Sequence, residues 1–170
     1  MGIIEIIFST DFFFTSIRLM TPILFAALAC MTFSKGGIDP IGTEGIMLVG
    51  AFTAVAVSYF SGSWILGVGA AMLAGALIAM IIGVGHVKYK ADNCAIGMGI
   101  NMLALAITKF LLNVVFNTNG SFTSPDIDPI PRVHLSFLEG IPVLNDLLND
   151  WSLMEWFVIV LIIILQFLFY

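Results

Sequence analysis

Charge is the first thing this sequence lacks. Only 10% of its 170 residues are Asp, Glu, Lys or Arg, against roughly 25% in a soluble globular domain. So few charged side chains cannot cover a water-soluble surface, and the mean hydropathy of +1.10 agrees. Basic residues are scarcer than acidic ones, six against eleven, and the net charge of −5 argues against a nucleic acid partner. Cysteine is scarce as well. Cys30 and Cys94 stand far apart, with no CxxC or His-linked spacing, and read as small buried apolar residues. Neither His86 nor His134 has a second ligand at metal spacing. There is no glycine-rich phosphate loop ending in Lys-Ser/Thr, no nucleophile elbow and no HExxH. No catalytic residue, bound cofactor or metal is therefore expected, and the chain does not read as an enzyme. The opening MGIIEIIFSTDFFF lacks a basic stretch and a small-residue cleavage site, so it is not expected to be a removable signal peptide.

What the chain does have is apolar length. Hydrophobic residues make up 60% of it, in blocks near the roughly 20 residues that a bilayer-spanning helix needs. The expectation is an all-α, polytopic transmembrane helix bundle of about five spans. The first runs from about Phe12 to Phe33 and is interrupted by Arg18 and Pro22. The second covers about Ile46 to Phe60, the third Trp64 to Val84, and the fourth about Ala95 to Phe116. The fifth is the closing WFVIVLIIILQFLFY. Residues 3–10 form an interfacial lead-in or an early start to the first helix.

Orientation follows from the few basic residues. HVKYKADN carries the paired Lys88 and Lys90, and cytoplasmic loops are enriched in Lys and Arg. The stretch at 117–151 instead collects Asp126, Asp128, Glu139, Asp146 and Asp150 around the lone Arg132, with four of the six prolines. It is expected to be an extracytoplasmic loop. Counting spans then puts the N-terminus outside, residues 34–45 toward the inside and the C-terminal end inside.

Residues 34–45, SKGGIDPIGTEG, concentrate the polar and helix-breaking chemistry that the flanks avoid. Gly36, Gly37, Gly42 and Gly45 permit unusual dihedrals and close helix approach. Pro40 removes a backbone donor and pushes Asp39 away from helical conformation. Asp39 and Glu44 are costly at membrane depth unless paired or hydrated. One reading is a plain turn on the inner side. The other is a broken, partly re-entrant segment packed against neighbouring helices, the kind of backbone tolerated at depth only where it is buried in protein or lines a wet cavity.

The third span repeats small residues: Gly67, Gly69, Ala70, Ala71, Ala74, Gly75, Ala76 and Ala79. That composition predicts close backbone packing. In the fourth span Asn93, Asn101, Thr108 and Lys109 punctuate the apolar run. Asn101 and Thr108 are two turns apart and share a face. They either hydrogen-bond between helices or border a polar pathway. Lys109 either snorkels or pairs with a carboxylate.

Together these residues resemble a family. TPILFAALACMTFSKGGIDPIGTEGIMLVGAF, residues 21–52, is similar to the permease subunits of ABC importers for simple sugars and nucleosides. Thr21, Pro22, Phe25, Phe33, Gly37, Ile41, Gly42, Glu44, Gly45, Met47, Gly50 and Phe52 are among the residues in register. GGID at residues 36–39 is similar to the ribose-type variant. A second block, KYKADNCAIGMGINMLALAITKFLL, resembles the family's second pattern through Gly97, Asn101, Leu103, Ala104, Thr108 and Phe110. Pro40 stands where the family has Asn, and Thr43 where it has an apolar residue.

The resemblance implies a multi-pass protein of the bacterial inner membrane. Residues 1–170 would be the N-terminal part of a permease domain, since family members continue for several more helices. It implies a second permease subunit, identical or paralogous, a cytoplasmic ATPase that binds the ATP, and an extracytoplasmic substrate-binding lipoprotein. The expected substrate pathway comprises Asp39, Glu44, Asn101 and Thr108, with the break and its packing set by Gly36, Gly37, Pro40, Gly42, Gly45 and Gly97. The competing expectation is a truncated, non-transporting membrane scaffold or assembly protein derived from such a permease.

Overall fold

The computed structural model describes residues 10–118, 122, 132–133 and 151–169. The described chain is helical: α1 (Thr10–Lys35), α2 (Thr43–Ser61), α3 (Trp64–Val87), α4 (Asn93–Phe116) and α5 (Leu153–Phe169). A 3-10 turn at Pro40–Gly42 separates α1 from α2, and a two-residue ribbon pairs β1 (Arg132–Val133) with β2 (Trp151–Ser152). Each expected apolar run has its helix, extended by a few residues at most ends. Pro22 lies inside α1 without ending it. The lost backbone bond is tolerated in an apolar helix where neighbouring groups satisfy the freed carbonyl. The lead-in before Thr10, and most of the expected outer loop with Asp126, Asp128, His134, Glu139, Asp146 and Asp150, lie outside the described residues.

Three helical stretches, Pro40–Ser61, Trp64–Val87 and Asn93–Phe116, are long and apolar enough to cross a membrane. The apolar stretches Leu19–Lys35 and Leu153–Phe169 are shorter. Burial is inverted relative to a soluble domain. Ile82, Ala104 and Val158 are the buried apolar side chains described, whereas Thr43, Ser58, Asn93, Thr108 and Glu155 are buried polar ones. Large side chains such as Phe60, Leu73, Met102 and Phe167 stand exposed. Polar groups inside and apolar groups outside suit a bundle whose solvent is lipid, where packing and interhelical hydrogen bonds hold the helices together.

The chain divides into two compact units. In Ala29–Pro129, α2 and α3 form an antiparallel pair joined at Gly62, whose φ of 63° needs no Cβ. Their seam runs in steps of four. A Cβ at Gly67 would lie 2.8 Å from the Ala54 carbonyl oxygen, one at Gly50 3.9 Å from that of Ala71, and one at Gly75 3.5 Å from Ile46. The small-residue expectation for the third span thus holds on the face of Gly67, Ala71 and Gly75. Gly69 instead faces open space. At the far end, Tyr59 meets Phe116 edge-on with ring centroids 5.5 Å apart, and Phe122 stacks on Phe116 at 4.0 Å.

The other unit comprises Met1–Leu28 and Ile130–Tyr170. Here Phe25 of α1 stacks on Phe157 of α5 at 6.2 Å. The β-ribbon pairs Arg132 with Ser152 and Val133 with Trp151. The residue that enters the helix from it, Ser152, donates its backbone N–H to Glu155 Oε2 at 2.7 Å. That is half of a capping box, in which the third helical residue reaches back to the N-cap backbone.

Candidate functional site: the break between α1 and α2

The break begins as ordinary helix termination. Gly37 N–H bonds to Ser34 O and Ile38 N–H to Phe33 O, both at 3.1 Å, the paired bonds of a Schellman end. Gly37 takes the left-handed position with φ 75°, which other L residues adopt only with strain. Asp39 follows with φ −69° and ψ 131°, the extended geometry imposed on a residue before proline. Pro40 then starts the 3-10 turn, a position where its missing N–H costs nothing. Its carbonyl accepts from both the backbone N–H and the hydroxyl of Thr43, the latter at 2.7 Å. Cys30 Sγ of α1 donates to the same hydroxyl oxygen at 3.5 Å. The break therefore spans Gly36–Gly42. Ser34 and Lys35 complete α1, and Thr43, Glu44 and Gly45 open α2.

What holds the break is α4. Asn93, Gly97 and Asn101 recur every four residues and so lie along one side of the helix. Asn93 Nδ2 donates to the Asp39 carbonyl at 3.2 Å. Asn101 Nδ2 donates to the Ile41 carbonyl at 2.8 Å, while its Oδ1 accepts from the Gly45 N–H at 2.7 Å. Gly45 is the third residue of α2, whose backbone N–H has no partner within its own helix. The N-cap of α2 is Gly42, which has no side chain to supply one. Asn101 thus caps α2 from a neighbouring helix.

Between the two asparagines the backbones nearly touch. A Cβ on Gly97 would lie 2.9 Å from Ile41 Cβ and 3.0 Å from Gly42 N. One on Gly45 would lie 2.9 Å from Asn101 Oδ1. Gly42 is closed from α3 as well, since its Cβ would lie 2.7 Å from Ile82 Cδ1. Gly42, Gly45, Gly97, Asn93 and Thr43 are all buried.

Of the sequence-predicted residues, the structure brings together Pro40, Gly42, Gly45, Gly97 and Asn101. The Asp39 and Glu44 side chains are exposed beside this junction; Asp39 enters it through its carbonyl alone. Thr108 is buried on the same stripe of α4, two turns beyond Asn101. Gly36 and Gly37 terminate α1 and are exposed. Sequence reasoning missed Asn93 as a brace, although its spacing of four from Gly97 and eight from Asn101 was visible. It also missed Thr43, whose hydroxyl joins α1 to the turn, and the Ser-x-x-Glu signature at Ser152–Glu155. Among the described residues no group of His, Cys, Asp and Glu could hold a metal.

Residues 12–170 match the family described as branched-chain amino acid transport system / permease component. The chain belongs to that family. Permeases of this family are membrane transport components and not enzymes. The chain is 34% identical over 131 residues to the guanosine ABC transporter permease protein NupQ of Bacillus subtilis, covering 73% of this chain and 40% of that protein. It is 28% identical over 154 residues to the nucleoside ABC transporter permease protein NupC of Lactococcus lactis, covering 82% and 48%. Over 95 residues it is 26% identical to the putative glucose ABC transporter permease protein TsgC13 of Haloferax volcanii, covering 56% and 29%. The chain spans less than half the length of these relatives. No solved structure matches it.

Proposed function

We propose that this chain is a transmembrane permease component of an ATP-driven ABC importer for nucleosides or related simple sugars. The observation that carries this reading is the break at Gly36–Gly42, clamped by Asn93 and Asn101 with two exposed carboxylates at its margin. Irregular backbone between two helices, braced from a third, is the kind of element from which membrane carriers assemble polar sites. The names of the nucleoside and glucose relatives support the substrate class. Nucleosides and sugars are rich in hydroxyl donors, and ionised carboxylates are acceptor-only groups that suit them. In this reading Asp39, Glu44, Asn101 and Thr108 border the substrate path. The energy source is a partner ATPase, and substrate is delivered by an extracytoplasmic binding lipoprotein to this chain and a second permease subunit.

The test is uptake of labelled nucleosides and simple sugars by cells carrying the complete importer. Asp39→Ala and Glu44→Ala should each lower uptake at least about tenfold, equivalent to about 1.4 kcal/mol, with unchanged membrane insertion. Full uptake by both variants would remove the segment from the transport path.

A further inference from the structure

The two sides of the break are fastened differently. On the α2 side, hydrogen bonds with Asn93 and Asn101 hold Asp39, Ile41 and Gly45 to α4 at 3.2, 2.8 and 2.7 Å. Gly97 brings the two backbones together between them, where a Cβ would lie 3.0 Å from Gly42 N. On the α1 side, the N–H groups of Gly36, Gly37 and Ile38 donate back to Thr32, Ser34 and Phe33, within the last turn of α1 itself. The bond recorded from α1 across to the first residue of α2 is that of Cys30 Sγ to the Thr43 hydroxyl oxygen, at 3.5 Å. A thiol is a weak donor.

Between the two sides the chain bends in open space. Gly37 has φ 75°, and a Cβ there would meet nothing within 4 Å. Gly36 and Asp39 are exposed as well, as are Met31, Thr32, Ser34 and Lys35 at the end of α1. That end, from Ala29 on, belongs to the same compact unit as α2, α3 and α4. Among the described residues α4 lies along the turn, whereas none of those three helices lies closely along this end of α1. Two adjacent glycines with no packed neighbour at the bend can absorb a change in φ and ψ. A shift of the turn itself would instead break the bonds to Asn93 and Asn101 and open a close backbone contact.

We propose that Gly36–Ile38 is a moving joint of the transport cycle. The end of α1 swings on it and parts Cys30 from Thr43, while Pro40–Gly45 stays seated on α4. This rests on the transport reading above and adds to it which side of the break moves and which is fixed.

The experiment uses the complete importer in proteoliposomes, with Thr43→Cys set against the native Cys30 and Cys94→Ser leaving that single pair in the chain. Oxidation with copper phenanthroline should join the two thiols, since the side chains already meet at 3.5 Å. The crosslink should lower ATP-driven uptake at least about tenfold, and dithiothreitol should restore it. Trapping the importer with ATP and vanadate should slow crosslinking by about threefold or more, because the swing carries Cys30 away. Uptake unchanged by the crosslink overturns the proposal, as does a crosslinking rate indifferent to trapping or no crosslink in the ATP-free importer. A second measurement places spin-label pairs in an otherwise cysteine-free importer. The distance from Lys35→Cys to Met98→Cys should shift by several ångströms on trapping, and that from Met47→Cys to Met98→Cys should stay constant. No shift in the first pair overturns the moving joint, and a shift in the second overturns the fixed seat. These distances are read without uptake of any solute, so failure of the joint and failure of the transport reading are told apart.

Discussion

At the scale of single residues, the junction makes opposite demands on two glycines of one helix. Gly97 faces Ile41 and the Gly42 backbone within 3.0 Å of where a Cβ would sit, whereas Gly99 faces open space. Gly97→Ala should destabilise the protein by about 1–3 kcal/mol through overpacking against main chain that cannot retreat. Gly99→Ala should be neutral, or stabilising by about 0.5–1 kcal/mol, from reduced backbone entropy. Thermal unfolding in detergent or nanodiscs reads both, and equal shifts would contradict the close approach. Asn101→Ala strips partners from Ile41 O and Gly45 N–H together. Its expected cost is about 1–3 kcal/mol, carried by the Gly45 N–H left buried and unsatisfied, since Ile41 is exposed. Asn101→Asp keeps the acceptor for Gly45 but sets an acceptor oxygen against the Ile41 carbonyl, so its melting temperature should fall below that of the unsubstituted protein.

At the scale of elements, much was legible in the sequence because the signals were local. Gly37 at a left-handed position, Asp39 extended before Pro40, and Pro40 opening a turn all follow from single-residue backbone chemistry. The apolar runs fixed the helices for the same reason, since length and composition need no tertiary knowledge. The bracing was less legible. Asn101 was an open choice between helix bridging and pathway, because side-chain partners fifty-six and sixty residues away cannot be read from spacing. Asn93 was legible as a polar residue punctuating the fourth apolar run, but not as a brace on the Asp39 carbonyl. The buried Glu155 was legible in principle, since Ser152 and Glu155 have capping-box spacing. Glu155→Ala should destabilise α5 by about 1 kcal/mol, measured as loss of helicity or melting temperature, while Glu155→Gln should recover part of it.

At the scale of the whole molecule, family membership and inverted burial agree on a multi-span membrane permease component. The orientation proposed from Lys88 and Lys90 is testable by itself. Single cysteines replacing Lys88 and Asp126 should react with an impermeant thiol reagent from opposite sides of the membrane. Labelling of both from one side would overturn that topology. The central claim is that the break between α1 and α2, held by α4, is the working part of a transport path. The measurement that tests it most directly is solute uptake by the complete importer carrying Asn101→Ala, set beside Gly69→Ala, where a Cβ would meet nothing within 4 Å, at equal membrane abundance. The account predicts that uptake falls with Asn101→Ala and is retained with Gly69→Ala. Equal uptake by the two variants would contradict it.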